Sequence, residues 1–320
     1  MIASAGTTLD GARERASAHA RLTVRALLSR TAALVALQLV GYGAFLLFQL
    51  SAARHLGASG YGALAHALAM GTFVALLGMF GSDRILVREL LSRADPGSRA
   101  ALLRASLAQR AALGLPAAAV LAWAVSRTTS GVGLAVPVAC FYVLQSLDLV
   151  AVFDGHRAAW MHVGGFAARN VALLVALLTM ASLGVATPVA TAWGMAVASA
   201  AFLAYQLTIA GRRGWVRSGP VPWTDVARLF RLCWPLALAS GAVQVYQQLP
   251  LLALGWLEGN ASAGRYAIAA QLAFALLGLV GLAYRLILPE LARLSRARRG
   301  STPGGAPGAC RRRSGSARRP

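Results

Sequence analysis

Residues 53–91 read ARHLGASGYGALAHALAMGTFVALLGMFGSDRILVRELL. The chain leaves an apolar span at Arg54 and turns through Gly57, Gly60 and Gly62. It then crosses an apolar run of about 20 residues and lands on Asp83, Arg84, Arg88 and Glu89. Hydrocarbon offers no partner to a free N–H or C=O, so both apolar runs read as helices and the stretch as one membrane re-crossing. A related stretch recurs about 200 residues later. Residues 263–272, AGRYAIAAQL, align without gaps on residues 59–68, SGYGALAHAL, with Gly60 on Gly264, Ala63 on Ala267, Ala65 on Ala269 and Leu68 on Leu272. Each copy opens an even-numbered span, which predicts two lobes that begin alike.

Composition points the same way. With 58% hydrophobic and 13% charged residues the chain is too apolar for a soluble domain of its length. All 31 basic residues are arginine and the formal net charge is +21. Such a balance on one face of a soluble domain would suggest nucleic acid, but here the arginines sit between apolar runs. The three cysteines, Cys140, Cys233 and Cys310, fit no disulfide framework and no metal spacing.

The expected fold class is an all-α polytopic transmembrane bundle of about eight spans. Residues 1–30 form a basic segment without a cleavable signal. Six spans over 31–210 make a first lobe, in which Pro116 and Pro137 are tolerated inside helices. Residues 211–232 carry arginines with Gly214, Gly219, Pro220 and Pro222 and read as the linker between lobes. Two spans over 233–290 begin a second lobe, and 291–320 is an Arg/Gly/Pro-rich tail that is expected to be disordered. That tail is what out-of-frame reading of a GC-rich gene gives, or else a basic segment for anionic lipid. Residues 98–110 oppose Leu102, Leu103 and Leu107 to Arg99, Arg104 and Arg110, and read as a helix lying on the membrane surface. With the amino terminus in the cytoplasm, 28 arginines fall inside and Arg54, Arg127 and Arg265 outside, which predicts both termini inside.

The string LGASGYGAL, an apolar span and then GSDRILVREL resembles the first helical hairpin of the oligosaccharide flippase family, polysaccharide exporters of the multidrug/oligosaccharidyl-lipid/polysaccharide exporter superfamily. The matching positions are Leu56, Gly57, Gly62, Gly81 and Arg88, and in the second hairpin Trp234, Pro235, Gly255, Gly259, Gly264, Tyr266 and Pro289. Family members carry about twelve to fourteen helices in two lobes of six, so the resemblance implies a chain truncated after its eighth helix. They also often place an Asp midway along the seventh helix, where this chain has Gln247, Gln248, Leu249 and Pro250.

The resemblance implies a transporter that moves a lipid-linked oligosaccharide, of undecaprenyl-pyrophosphate type, across a bacterial inner membrane by alternating access. A drug efflux antiporter of the same superfamily, or a truncated protein that transports nothing, is the alternative. A bulky sugar and a pyrophosphate need a polar cavity. Gln38, Tyr42 and Gln49 on span one and Gln244, Gln247 and Gln248 on span seven are candidates to line it, or else hydrogen-bond between helices. Arg84, Arg88, Arg169 and Arg285 are candidates for phosphate or lipid headgroups, or else topology signals. Asp148 late in span four reads as an ion-coupling carboxylate, or as an acid paired with Arg157 or Arg169. Anionic lipids are expected partners and nucleic acid is not; a glycan polymerase or export partner is left unspecified. The short loops and missing triads, phosphate loops and metal clusters argue against an enzyme, so no catalytic residue, cofactor or metal is expected.

Overall fold

A computed structural model gives the protein's structure over residues 4–128, 132–216 and 219–274, with side chains described from 32 in the first segment and from 133 in the second. The described residues are mainly helical, without a strand: α1 (Ser4–Met79), α2 (Ser82–Ser92), α3 (Pro96–Ser126), α4 (Val132–Ser146), α5 (Val150–Gly155), α6 (Ala159–Ser182), α7 (Pro188–Arg212) and α8 (Trp223–Leu257), followed by α9 over 260–274. The basic segment expected before the first span is helical from Ser4 and continuous with it. Arg285, the 291–320 tail and the rest of the eighth span lie outside the described residues.

Six helical stretches are long and apolar enough to cross a membrane. The first, Ala32–Ser92, has 61 residues, about three times what a hydrocarbon core of roughly 30 Å needs at 1.5 Å per residue. It folds back at Gly57, whose φ of 70° and ψ of 172° no helix accommodates. The neighbours of the two arms prove the reversal. In the first arm Gly41 packs on Phe166 and Ala167 at the start of α6; Gly60, past the turn, approaches Pro188, beyond the end of α6. In the second arm Gly71 meets Tyr142 and Gly78 meets Ser146, running back down α4. The described chain therefore makes seven passes, and α9 begins another.

All turns of one kind gather at one end. Gly60 lies by Pro188, Gly62 by Asn260, and Gly133 by Val189. Arg54, Arg127 and Arg265 are at this end, and the other twelve arginines with described side chains lie toward the opposite end. The two repeat stretches meet here. A Cβ on Gly62 would lie 1.7 Å from the Asn260 carbonyl oxygen, and one on Gly264 would lie 2.1 Å from that of Ala58. Each glycine thus faces the carbonyl four residues before the other, a small-residue helix crossing. Alignment paired Gly264 with Gly60; in space its counterpart is Gly62.

A large core joins both arms of α1 to α3, α4, α6, α7, α8 and α9, with Phe48, Leu64, Val138, Leu177 and Ala263 at its centre. A second core at the arginine-rich end unites Leu86 and Leu90 of α2, Leu102 and Leu103 of α3, and Val152 and Phe153 of α5. This corrects the surface-helix expectation for 98–110. The segment is the first half of a continuous α3, started by the Asp95 side chain accepting from the Ser98 N–H at 2.6 Å with Pro96 behind it. Its leucine stripe meets α2 and α5 instead of lipid.

Arg110, two turns on from Leu103 and on the same face as that stripe, is 2% exposed. Its guanidinium donates to the Ser82 hydroxyl at 3.2 Å, to the carbonyls of Ser146 (3.2 Å) and Asp148 (2.7 Å), and to the Asp83 carboxylate. The two carbonyls are freed by a break at 147–149, which splits the expected fourth span into α4 and α5. The linker residues are tied down as well: Arg93 pairs with Asp225 at 3.2 Å, Arg228 with Glu89 at 3.0 Å, and Arg104 donates to the Pro220 carbonyl.

Gly264→Ala forces the crossing helices apart and should destabilise the protein by about 1–3 kcal/mol. Gly43→Ala, where a Cβ meets nothing within 4 Å, should be neutral or slightly stabilising; thermal unfolding in detergent compares the two. Arg110→Met strands Asp83 and two carbonyls and should cost about 3 kcal/mol in the same measurement.

Candidate functional site

The stripe Ser240, Gln244, Gln247, Gln248 and Leu251 recurs at helical spacing on α8, while Val243, Val245, Tyr246 and Leu249 between them face outward. The inward stripe forms one wall of a central cavity of about 540 Å³. The second arm of α1 forms the wall opposite with Tyr61, Ala65, Ala69 and Thr72. The first arm adds Phe45 and Gln49, α4 adds Phe141, Tyr142 and Gln145, and α9 adds Tyr266, Gln271 and Phe274. Six glutamines from four helices converge on one space inside an apolar bundle.

Its polar lining is neutral over most of its length. Tyr142 donates its hydroxyl to the Leu68 carbonyl at 2.7 Å, which fixes the ring against Gly71, where a Cβ would strike it at 2.1 Å. Gln49, 5% exposed, keeps a side-chain oxygen without a hydrogen-bond partner among the described residues, as does Gln145. A buried amide oxygen left unmatched costs about 1–3 kcal/mol, which a ligand hydroxyl or water can recover. Among the described residues charge enters only at the arginine-rich mouth, where Asp83 and Arg84 line the cavity. Arg110 engages Asp83 there and leaves Arg84 as the exposed cation at the opening. The other end is closed by Tyr61, 2% exposed, beside the Gly62–Gly264 crossing.

Gln49, Gln244, Gln247 and Gln248 line this cavity, and Arg84, a candidate for phosphate or headgroup, stands at its mouth. Gln38 and Tyr42 do not line it. Tyr42 is 52% exposed and sits edge-on to Phe166 at 5.5 Å, and the Gln38 amide reaches only the Tyr42 hydroxyl at 3.5 Å. Residues 38, 42 and 49 share one angle on the helix, but eleven residues span about 16 Å of its axis. Periodicity sets direction and leaves depth open. Arg88 is exposed on α2 away from the cavity. Arg169 lies on α6, stacked over Phe166 and Phe202 at 5.1 and 5.3 Å and donating to Asn170.

Asp148 lies outside the cavity, in the break between α4 and α5. Its carboxylate accepts from the Val150 N–H at 3.0 Å and from the Gln206 amide at 2.8 Å, and it lies 3.1 Å from the His162 Nε2, where Arg157 or Arg169 was expected as its partner. The carboxylate therefore caps α5 and ties it to α6 and α7. Tyr61, Thr72, Ser240, Tyr266 and Gln271 were missed as lining residues. Ser240 was within reach, one turn before Gln244 on the same stripe; Tyr266 and Gln271 become visible only when α9 is placed. Among the described residues no cluster of His, Cys, Asp and Glu can hold a metal.

A cavity lined this way holds water, whereas the outer face of α8 meets hydrocarbon. In a background freed of the native cysteines, Gln248→Cys should react with maleimide in membranes and Leu249→Cys, one residue on and 53% exposed to the outside, should not. Comparison with protein-family models, with curated proteins and with solved structures finds no match to this chain.

Proposed function

We propose that this multi-pass membrane protein is a transporter that accommodates the polar head of a lipid-linked oligosaccharide in its central cavity. The convergence of six glutamines supports the reading most directly. A glutamine amide both donates and accepts, so it can match sugar hydroxyls of either orientation without adding charge. Arg84 at the mouth suits a pyrophosphate, and tyrosine faces offer stacking to sugar rings. The resemblance in the first hairpin supplies the carrier, a pyrophosphate-linked prenol of undecaprenyl type. Under the positive-inside tendency the arginine-rich end faces the cytoplasm of a bacterial inner membrane, with both termini on that side.

The cavity opens at the arginine-rich end, beside Arg84, and is closed at the other by Tyr61 and the backbone crossing of Gly62 and Gly264. In an alternating-access cycle that crossing is the contact that has to part.

Purified full chain should bind a short-prenyl pyrophosphate oligosaccharide in detergent, measured by calorimetry. Gln248→Leu should weaken it about tenfold, one well-made hydrogen bond, while Gln38→Leu, outside the cavity, should leave it unchanged. Binding of lipophilic cations in place of the oligosaccharide would replace this reading with drug efflux, and binding of neither would leave a membrane protein that transports nothing.

A further inference from the structure

A separate cleft of about 450 Å³ lies between the second arm of α1, α3 and α8, at the end where the turns gather, and is lined by His66, Met70, Trp123, Arg127, Thr128 and Trp256. It shares no residue with the central cavity. Trp123 and Trp256 are 62% and 61% exposed, as indoles at the boundary of hydrocarbon and water are. Arg127 holds its guanidinium 5.6 Å from the centre of the Trp123 ring. Opposite, His66 is 4% exposed, edge-on to Trp256 at 6.0 Å, and its Nε2 has no hydrogen-bond partner among the described residues. Gly255 makes the room for it: a Cβ there would lie 2.5 Å from the imidazole Nδ1.

The chemistry of the lining decides what fits. It offers a guanidinium, two indole N–H groups and an imidazole, and no carboxylate lines it among the described residues. The Thr128 hydroxyl already donates to the Val125 carbonyl at 2.7 Å. Donors outnumber acceptors and the fixed charge is positive, so the complement is an anion. Interfacial depth and the apolar flank of Met70 and the indoles add a requirement for hydrocarbon next to that anion, which a soluble phosphate or sulfate lacks. We infer that this cleft binds the phosphodiester headgroup of an anionic glycerophospholipid. Arg127 and the indole N–H groups hold the phosphate, the His66 ring closes the floor, and the first acyl carbons lie on Met70.

The test uses the full chain taken from vesicles of phosphatidylcholine with one fifth phosphatidylglycerol, with retained lipid read by native mass spectrometry. The wild type should keep phosphatidylglycerol in preference. Arg127→Gln should lower that retention about fivefold, the effect of one basic group beside an anionic lipid, while Arg54→Gln, at the same end but outside the cleft, should not. Added inorganic phosphate should displace nothing. A second measurement needs no substitution at the arginine: brominated phosphatidylglycerol should quench tryptophan fluorescence more than brominated phosphatidylcholine, and Trp123→Phe together with Trp256→Phe should remove the difference. Equal loss in both arginine variants, displacement by free phosphate, or equal quenching by the two brominated lipids would overturn the assignment.

Discussion

A guanidinium in an apolar interior has to be matched donor by donor, and Arg110 is matched by backbone that an unbroken helix would keep for itself. Its partners come from two places far apart in the chain: Ser82 and Asp83 after the second arm of α1, and the carbonyls of Ser146 and Asp148 where α4 stops. Two interruptions in the helical passes, at 80–81 and at 147–149, are thereby brought to one point. Each would expose unpaired polar groups alone; together around Arg110 they become the joint on which α2 and α5 fold against α3. Asp148 completes the joint from the other side, capping α5 and holding Gln206 and His162. An acid that looks anomalous in an apolar span is there because the helix stops beside it.

At the far end the constraint is the opposite one, the absence of side chain. Gly62 and Gly264 let two helix starts approach until each backbone lies in the space a methyl group would need. The crossing fixes α9 against the second arm of α1, and the cavity is what remains below it, where tilted helices diverge. Among the described lining residues the cavity is polar in its middle and charged only at the arginine-rich mouth. Glutamines occupy the depth where water or ligand has to be met without the cost of an ion in hydrocarbon, and Arg84 stands where solvent begins.

The two ends also differ in what their surfaces can hold. The arginine-rich end spends much of its charge internally, on Asp225, Glu89, Asp83 and freed carbonyls. The turn end has few arginines, but Arg127 sits over Trp123 beside a cleft with no acid to neutralise it among the described residues.

Composition and hydropathy alone determined that the chain is a helical membrane protein, that it re-crosses at Gly57, and that polar groups gather on one face of α8. These are legible because hydrocarbon forbids any other backbone, and because a period of 3.6 writes a helix face directly into the sequence. The arginine pattern likewise anticipated two unequal ends, since the turns at Gly57, Thr128, Gly184 and Gly259 fall where arginine is scarce. Only the tertiary structure decided that Gln49 meets the cavity while Gln38 does not, because depth along an axis depends on where the neighbouring helices stand. It likewise decided that Arg110 is buried, since an amphipathic stripe has the same sequence whether it faces lipid or α2 and α5. And it paired Gly264 with Gly62 in place of Gly60, because alignment compares side chains one by one, whereas packing selects the position at which two backbones can touch.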